Sequence, residues 1–92
     1  MADSLRLDKF LWFARIAKTR ALAQELAEKG RIRLNGRVID RAHSPVRAGD
    51  VLSFARRGEV RVLRVDALPA RRGPAVEARA HYCELTRAPG GD

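Results

Sequence analysis

Apolar positions near the start of the chain follow a helical spacing. Leu7, Phe10, Leu11 and Ala14 stand at i, i+3, i+4 and i+7, one stripe of an amphipathic helix. The spacing predicts a first helix over residues 7–16. Asp8 falls in its first turn, where a negative charge suits the helix dipole, and Phe13 is expected to help close the core. The pattern breaks over residues 17–19. Thr19 is an N-cap candidate, because its hydroxyl can accept from a free backbone amide. Leu22, Ala23, Leu26 and Ala27 then mark a second helix over residues 20–29. Lys29 in the last turn and Gly30 just beyond it are a stop signal.

Beyond Gly30 the period changes to two. Arg31-Ile32-Arg33-Leu34 alternates polar and apolar, as a half-buried strand does. Asn35-Gly36 predicts a tight type I′ hairpin turn, which needs positive φ twice, and residues 37–40 form the return strand. Residues 41–47, with Pro45, read as an irregular connection. Ala48-Gly49-Asp50 is a turn into a strand over residues 51–55, and Arg57-Gly58 a turn into another over residues 60–65. Residues 68–74 read as a loop. Residues 75–85 fit either a helix opened by Pro74 or a strand of period two through Val76, Ala78, Ala80 and Tyr82; the helix is preferred. The fold class is therefore α+β in one domain. Residues 1–4 are expected to be a flexible terminus, 55–86 an extension of the sheet with a short C-terminal helix, and 87–92, with Pro89-Gly90-Gly91, a disordered tail.

Charge changes the picture from fold to partner. Nineteen Lys and Arg stand against eleven Asp and Glu in 92 residues, a net +8, and sixteen of the nineteen are Arg. Arginine's planar fork suits phosphate contacts and stacking, and an excess of this size points to a polyanion. No apolar run approaches the roughly 18–20 residues of a membrane span. The start lacks a signal-peptide core, so a cytoplasmic location is expected. Cys83, with only His81 and Glu84 nearby, does not make a four-ligand zinc site. His43 and His81 have no nucleophile or carboxylate partner of the kind triad chemistry needs. No metal, cofactor or catalytic residue is expected.

Three features coincide in the first forty residues. Arg15, Lys18 and Arg20 bracket the junction of the two helices, where the amides opening the second helix add positive potential. Trp12, one turn before Arg15, is either core or a ring on which a base or an arginine can stack. Arg31, Arg33 and Arg37 flank the Asn35-Gly36 turn. Taken singly, a basic helix face is usually only a solvated one. Taken together, with few acids between them, these residues favour nucleic-acid binding. Arg56, Arg57, Arg61, Arg64, Arg71 and Arg72 form either a second basic patch or a sheet edge guarded against pairing.

Arg6-Leu7-Asp8-Lys9, Arg15, Lys18-Thr19-Arg20, Ala23, Gly30, Ile32, Leu34-Asn35-Gly36 and Gly49-Asp50 resemble the S4 RNA-binding domain over residues 5–54. Asp8 to Trp12 and Lys18 to Arg20 resemble, more narrowly, the ribosome-associated heat shock protein 15 family. The resemblance implies an α-L motif of two packed helices and a β-hairpin on a small, mostly antiparallel sheet. It also implies binding to ribosomal RNA of free large subunits that carry a nascent chain on tRNA, and their recycling. The RNA contacts it implies are Arg6, Lys9, Arg15, Lys18, Thr19, Arg20 and Arg37; Trp12, Arg33 and Asn35 join them from the reading of the residues. Asp8 is expected to orient neighbouring cations. The family's better-known members continue into a long charged extension past the point where this sequence stops, which bears on recycling more than on RNA binding. The competing readings are another short S4 quality-control factor, a general structured-RNA or DNA-binding module, and a fragment of an RNA-modifying enzyme. The free chain is expected to be a monomer with no membrane contact.

Overall fold

The computed structural model describes residues 3–56 and 58–89. The chain runs β1 (Leu5–Arg6), α1 (Leu7–Phe13), α2 (Arg20–Glu28), β2 (Ile32–Leu34), β3 (Arg37–Ile39), β4 (Pro45–Val46), β5 (Val51–Arg56), β6 (Glu59–Val65), α3 (Ala75–Arg79) and β7 (Tyr82–Pro89). Five strands form one sheet in the order β3-β2-β5-β6-β7, and each neighbouring pair is antiparallel.

The helical stripe is the centre of the core. Leu7, Phe10, Leu11 and Ala14 are buried, as are Ala23 and Ala27 of α2, which meet Ile32, Leu52, Phe54, Leu63 and Val65 from the sheet. Truncating a buried phenylalanine such as Phe10 costs about 3–5 kcal/mol, a large share of what a domain this small has to spend. The Asn35-Gly36 turn has the predicted geometry, with φ of 52° and 86°. Thr19 caps α2: its Oγ1 accepts from the Leu22 amide at 3.0 Å.

Four expectations change. First, α1 ends at Phe13 instead of Ile16. Arg15 adopts φ 60°; the Ile16 amide donates to the Leu11 carbonyl at 2.9 Å and the Arg15 amide to that of Trp12 at 3.1 Å. These are the two bonds of a Schellman motif, with arginine where glycine is usual. Helical periodicity continued past the true end because Ile16 and Ala17 are buried by the chain turning back, not by a further helical turn. Second, the connection over residues 41–47 is not wholly irregular. Pro45 and Val46 pair with Arg6 and Leu5, and the Leu7 and Asp8 amides donate to the Ser44 and Ala42 carbonyls, so the open N-terminus of α1 is satisfied by this segment. Third, residues 75–85 are both things in succession: helix to Arg79, then strand from Tyr82. Fourth, β7 runs on to Pro89, whose backbone pairs with Glu59, so residues 87–89 are strand instead of tail. Residues 90–92, Met1, Ala2 and Arg57 lie outside the described residues. Phe13 is half-buried and tilted against Trp12, with ring centroids 5.7 Å apart, outside the main core cluster.

Candidate nucleic-acid interface

The junction of α1 and α2 is built around one buried carboxylate. Asp8 is fully buried. Its oxygens accept from Arg6 Nε and Nη2, both at 3.0 Å, from the Lys9 amide at 2.8 Å and from Arg20 Nη2 at 3.4 Å. Burial alone would raise the Asp8 pKa. The Arg6 bonds and charge, the Lys9 amide and the Arg20 charge outweigh it and hold the carboxyl below its ordinary range. One acid thus fixes two arginines from different elements, β1 and α2. Both keep exposed surface, 45% for Arg6 and 37% for Arg20. Two cations on one anion leave the cluster net positive.

Arg15, Lys18 and Trp12 are brought to the same junction by a residue from the distant loop. Arg72 Nη1 donates to the Trp12 carbonyl at 2.5 Å and the Ala17 carbonyl at 3.5 Å, and Nη2 to the Lys18 carbonyl at 3.4 Å. Its guanidinium lies 5.4 Å from the Trp12 ring centroid, a cation–π contact. Burial and the charge of Arg15 lower the Arg72 pKa. Arg15 Nε donates to the Gly73 carbonyl at 2.5 Å. Of the two partners expected for the Trp12 ring, a base or an arginine, Arg72 takes the place in the folded protein, adding a second donor to the Trp12 carbonyl and donating to those of Ala17 and Lys18. Neither Arg72 nor Gly73 stood among the expected site residues. Their signal was a paired Arg-Arg before Gly-Pro in a loop, which composition alone counts only as more charge.

The other expected residues divide. Lys18 and Thr19 are exposed and Lys9 is half-buried. Arg33 and Arg37 are exposed on β2 and β3 and make no bond to the junction cluster. Both ends of the Asn35 amide are engaged within the protein: Nδ2 donates to Asp50 Oδ1 at 3.0 Å, and Oδ1 accepts from the Val51 amide at 2.9 Å. Its side chain holds the hairpin turn to the start of β5. Of the second-half arginines Arg56, Arg57, Arg61, Arg64, Arg71 and Arg72, the side chains of Arg56 and Arg57 lie outside those described, and the others are engaged within the protein. Arg61 forks onto Glu84, Arg64 pairs with Asp66 and Arg71 with Glu77. Among the described residues, no cluster of three or more His, Cys, Asp or Glu could hold a metal ion, and no helix is long and apolar enough to cross a membrane.

The segment that carries the helix pair, the Asp8 node, the capped α2 and the hairpin turn matches a known family. The S4 domain matches residues 5–52. The chain belongs to the S4 domain family. Within it, the chain is 39% identical over 87 residues to heat shock protein 15 of Escherichia coli K12, covering 95% of this chain and 65% of that protein. It is 49% identical over 49 residues to the RQC P-site tRNA stabilizing factor of Bacillus subtilis, covering 53% of this chain and 56% of that one. The trimeric structure of heat shock protein 15 from Vibrio cholerae superposes with a TM-score of 0.83 at 30% identity, over 90% of this chain and 83% of that one. The S4 domain here thus comprises α1, α2, the hairpin and the start of β5, and β6, α3 and β7 lie beyond it. The chain spans less than two thirds of the length of either curated relative.

Proposed function

We propose that this protein is a non-enzymatic RNA-binding factor of the bacterial cytoplasm. It binds ribosomal RNA of the large subunit and assists subunits blocked by nascent peptidyl-tRNA. The observation that carries the reading is the Asp8 node, which holds Arg6 and Arg20 half-exposed, with exposed Lys18 and Arg15 on the segment joining the two helices. Clustered, preset cations suit a phosphate backbone, since their side-chain entropy is already spent. Arg33 and Arg37 on the hairpin extend the contact, Lys9 and Thr19 complete it at the helix ends, and Trp12 and Asn35 position their neighbours. Selectivity comes from RNA shape, which duplex RNA presents more readably than sequence. Among the relatives, the match to heat shock protein 15 spans 87 residues and so continues beyond the S4 domain, whereas that to the tRNA stabilizing factor spans 49. This favours a heat-shock-protein-15-like role over a general RNA module. The test is sedimentation of a lysate through a sucrose gradient. The protein is expected with free large subunits, enriched when they carry peptidyl-tRNA; co-migration with small subunits, or with neither, overturns the reading.

A further inference from the structure

Next to the helix junction, the end of α1 faces α3 and the β6–β7 ladder across a cleft of about 420 Å³, within the span of small-ligand sites. Ala14, Arg15, Arg61, Arg79, Tyr82 and Glu84 line it. Its chemistry is uneven. Arg61 is committed: its Nε and Nη2 fork onto the two Glu84 oxygens at 3.0 and 2.6 Å, and its guanidinium lies 5.6 Å from the Phe54 centroid. Tyr82 is half-buried and packs against the core cluster, so its ring is held in place. Arg15 and Arg79 are exposed. Arg15 uses only Nε, on Gly73. Arg79 is the one arginine of residues 58–86 that, among the described residues, pairs with no acid, ring or carbonyl. Its five donors are idle beside a tyrosine ring and a second arginine.

Two open cations, a fixed aromatic ring and a neutralised ion pair in one recess match a phosphate joined to a flat heterocycle. We propose that the cleft takes one unpaired nucleotide of the bound RNA, with its phosphate on Arg15 and Arg79 and its base against Tyr82. The Glu84 carboxylate repels phosphate, so the orientation is set: phosphate at the Arg15–Arg79 wall, base towards Tyr82 and Glu84. Duplex RNA hides its bases, while loops, bulges and ends expose them for stacking. The cleft would therefore select RNA with an unstacked nucleotide. Arg15 links the two surfaces, since it belongs to the helix junction and to the cleft, and the left-handed backbone it adopts places it there. The inference rests on the RNA-binding reading above but extends the contact to α3 and β7, beyond the S4 match.

Two measurements on the full chain test it. In the first, adenosine 5′-monophosphate, adenosine and inorganic phosphate are titrated separately into isotope-labelled protein and followed by NMR. The monophosphate is expected to shift Arg15, Arg79, Tyr82 and Glu84 saturably, and more than either part alone. Absence of shifts there, or shifts confined to Lys18 and Arg20, overturns the proposal whatever RNA does. In the second, Arg79→Gln is compared with the unaltered protein on a blunt RNA hairpin and on the same stem with one bulged nucleotide. The variant is expected to bind the bulged RNA about fivefold more weakly and the blunt one within about twofold. Equal loss on both RNAs reduces Arg79 to general charge and overturns the pocket. If the unaltered protein binds neither RNA, the RNA-binding reading fails, and the monophosphate shifts still decide whether the cleft is a nucleotide site.

Discussion

Residues 5–54 carry eleven basic and five acidic side chains, and residues 55–92 carry eight and five. The balance differs less than the use. In the second region the acids stand where the arginines are: Glu84 across the ladder from Arg61, Asp66 two residues from Arg64, and Glu77 within reach of Arg71. Those charges cancel locally and leave little field. In the first region fewer of the cations are matched by an acid. Asp8 is buried and shared by two arginines, and Glu25 pairs with Lys29. Lys9, Lys18, Arg33 and Arg37 form no ion pair among the described residues. Among the described residues, a polyanion approaching the molecule meets cations without an ion pair on the first region and three arginines matched by acids on the second. Net charge predicts that a partner exists; the pairing predicts where it sits.

The largest test reverses charge at the junction. Arg15→Glu with Lys18→Glu avoids Arg20, whose replacement by an acid would face buried Asp8. It is expected to weaken RNA binding by at least about 30-fold at 0.1 M salt and to flatten the slope of log affinity against log salt by roughly two. Arg64→Gln with Arg71→Gln, which removes two arginines each paired with an acid, is expected to stay within about twofold in the same mobility-shift assay. Equal losses from the two doubles would end the comparison.

A second test removes the anion that organises the cations. Asp8→Asn keeps the shape but loses the charge, and is expected to cost about 1–3 kcal/mol in chemical denaturation along with part of the RNA affinity, because Arg6 and Arg20 lose their anchor. The pH dependence follows the same group. The folded carboxyl has a depressed pKa, so its stabilisation is in full force above the unfolded value of about 4. It is lost as pH falls through the lower folded value. The unaltered protein should therefore lose stability below about pH 4 more steeply than Asp8→Asn, and parallel pH curves for the two would remove Asp8 from the account.

The smallest test concerns Arg15. A side chain at φ 60° costs about 1–2 kcal/mol that glycine does not incur. Arg15→Gly is accordingly expected to be about 1 kcal/mol more stable than Arg15→Ala, the reverse of the order at an ordinary helical site. Both should weaken RNA binding alike. A strained residue kept where glycine would fit better argues that the side chain serves binding; if the alanine variant is the more stable, that argument falls.

Much of this was legible in the chain. The apolar stripe of α1, the Thr19 cap, the Gly30 stop and the Asn35-Gly36 turn all rest on interactions within a few residues, so local spacing determined them. The paired basic residues around Lys18-Thr19-Arg20 were legible for the same reason, and the S4 resemblance with them. Where α1 stops, the use of Pro45 and Val46 as a strand, the place of Arg72 on Trp12, and the division of residues 75–89 into helix and strand were not. The first is local but carries no glycine to mark it, since Arg15 takes the left-handed turn; each of the others depends on a partner far along the chain: the amides of Leu7 and Asp8, the carbonyls of residues 12, 17 and 18, and the edge of β6. The sequence determined that the protein is basic and where its helices and hairpin begin. Only the tertiary structure decided which arginines are spent on acids and carbonyls and which remain open to a ligand, because that depends on distances between residues that periodicity does not encode.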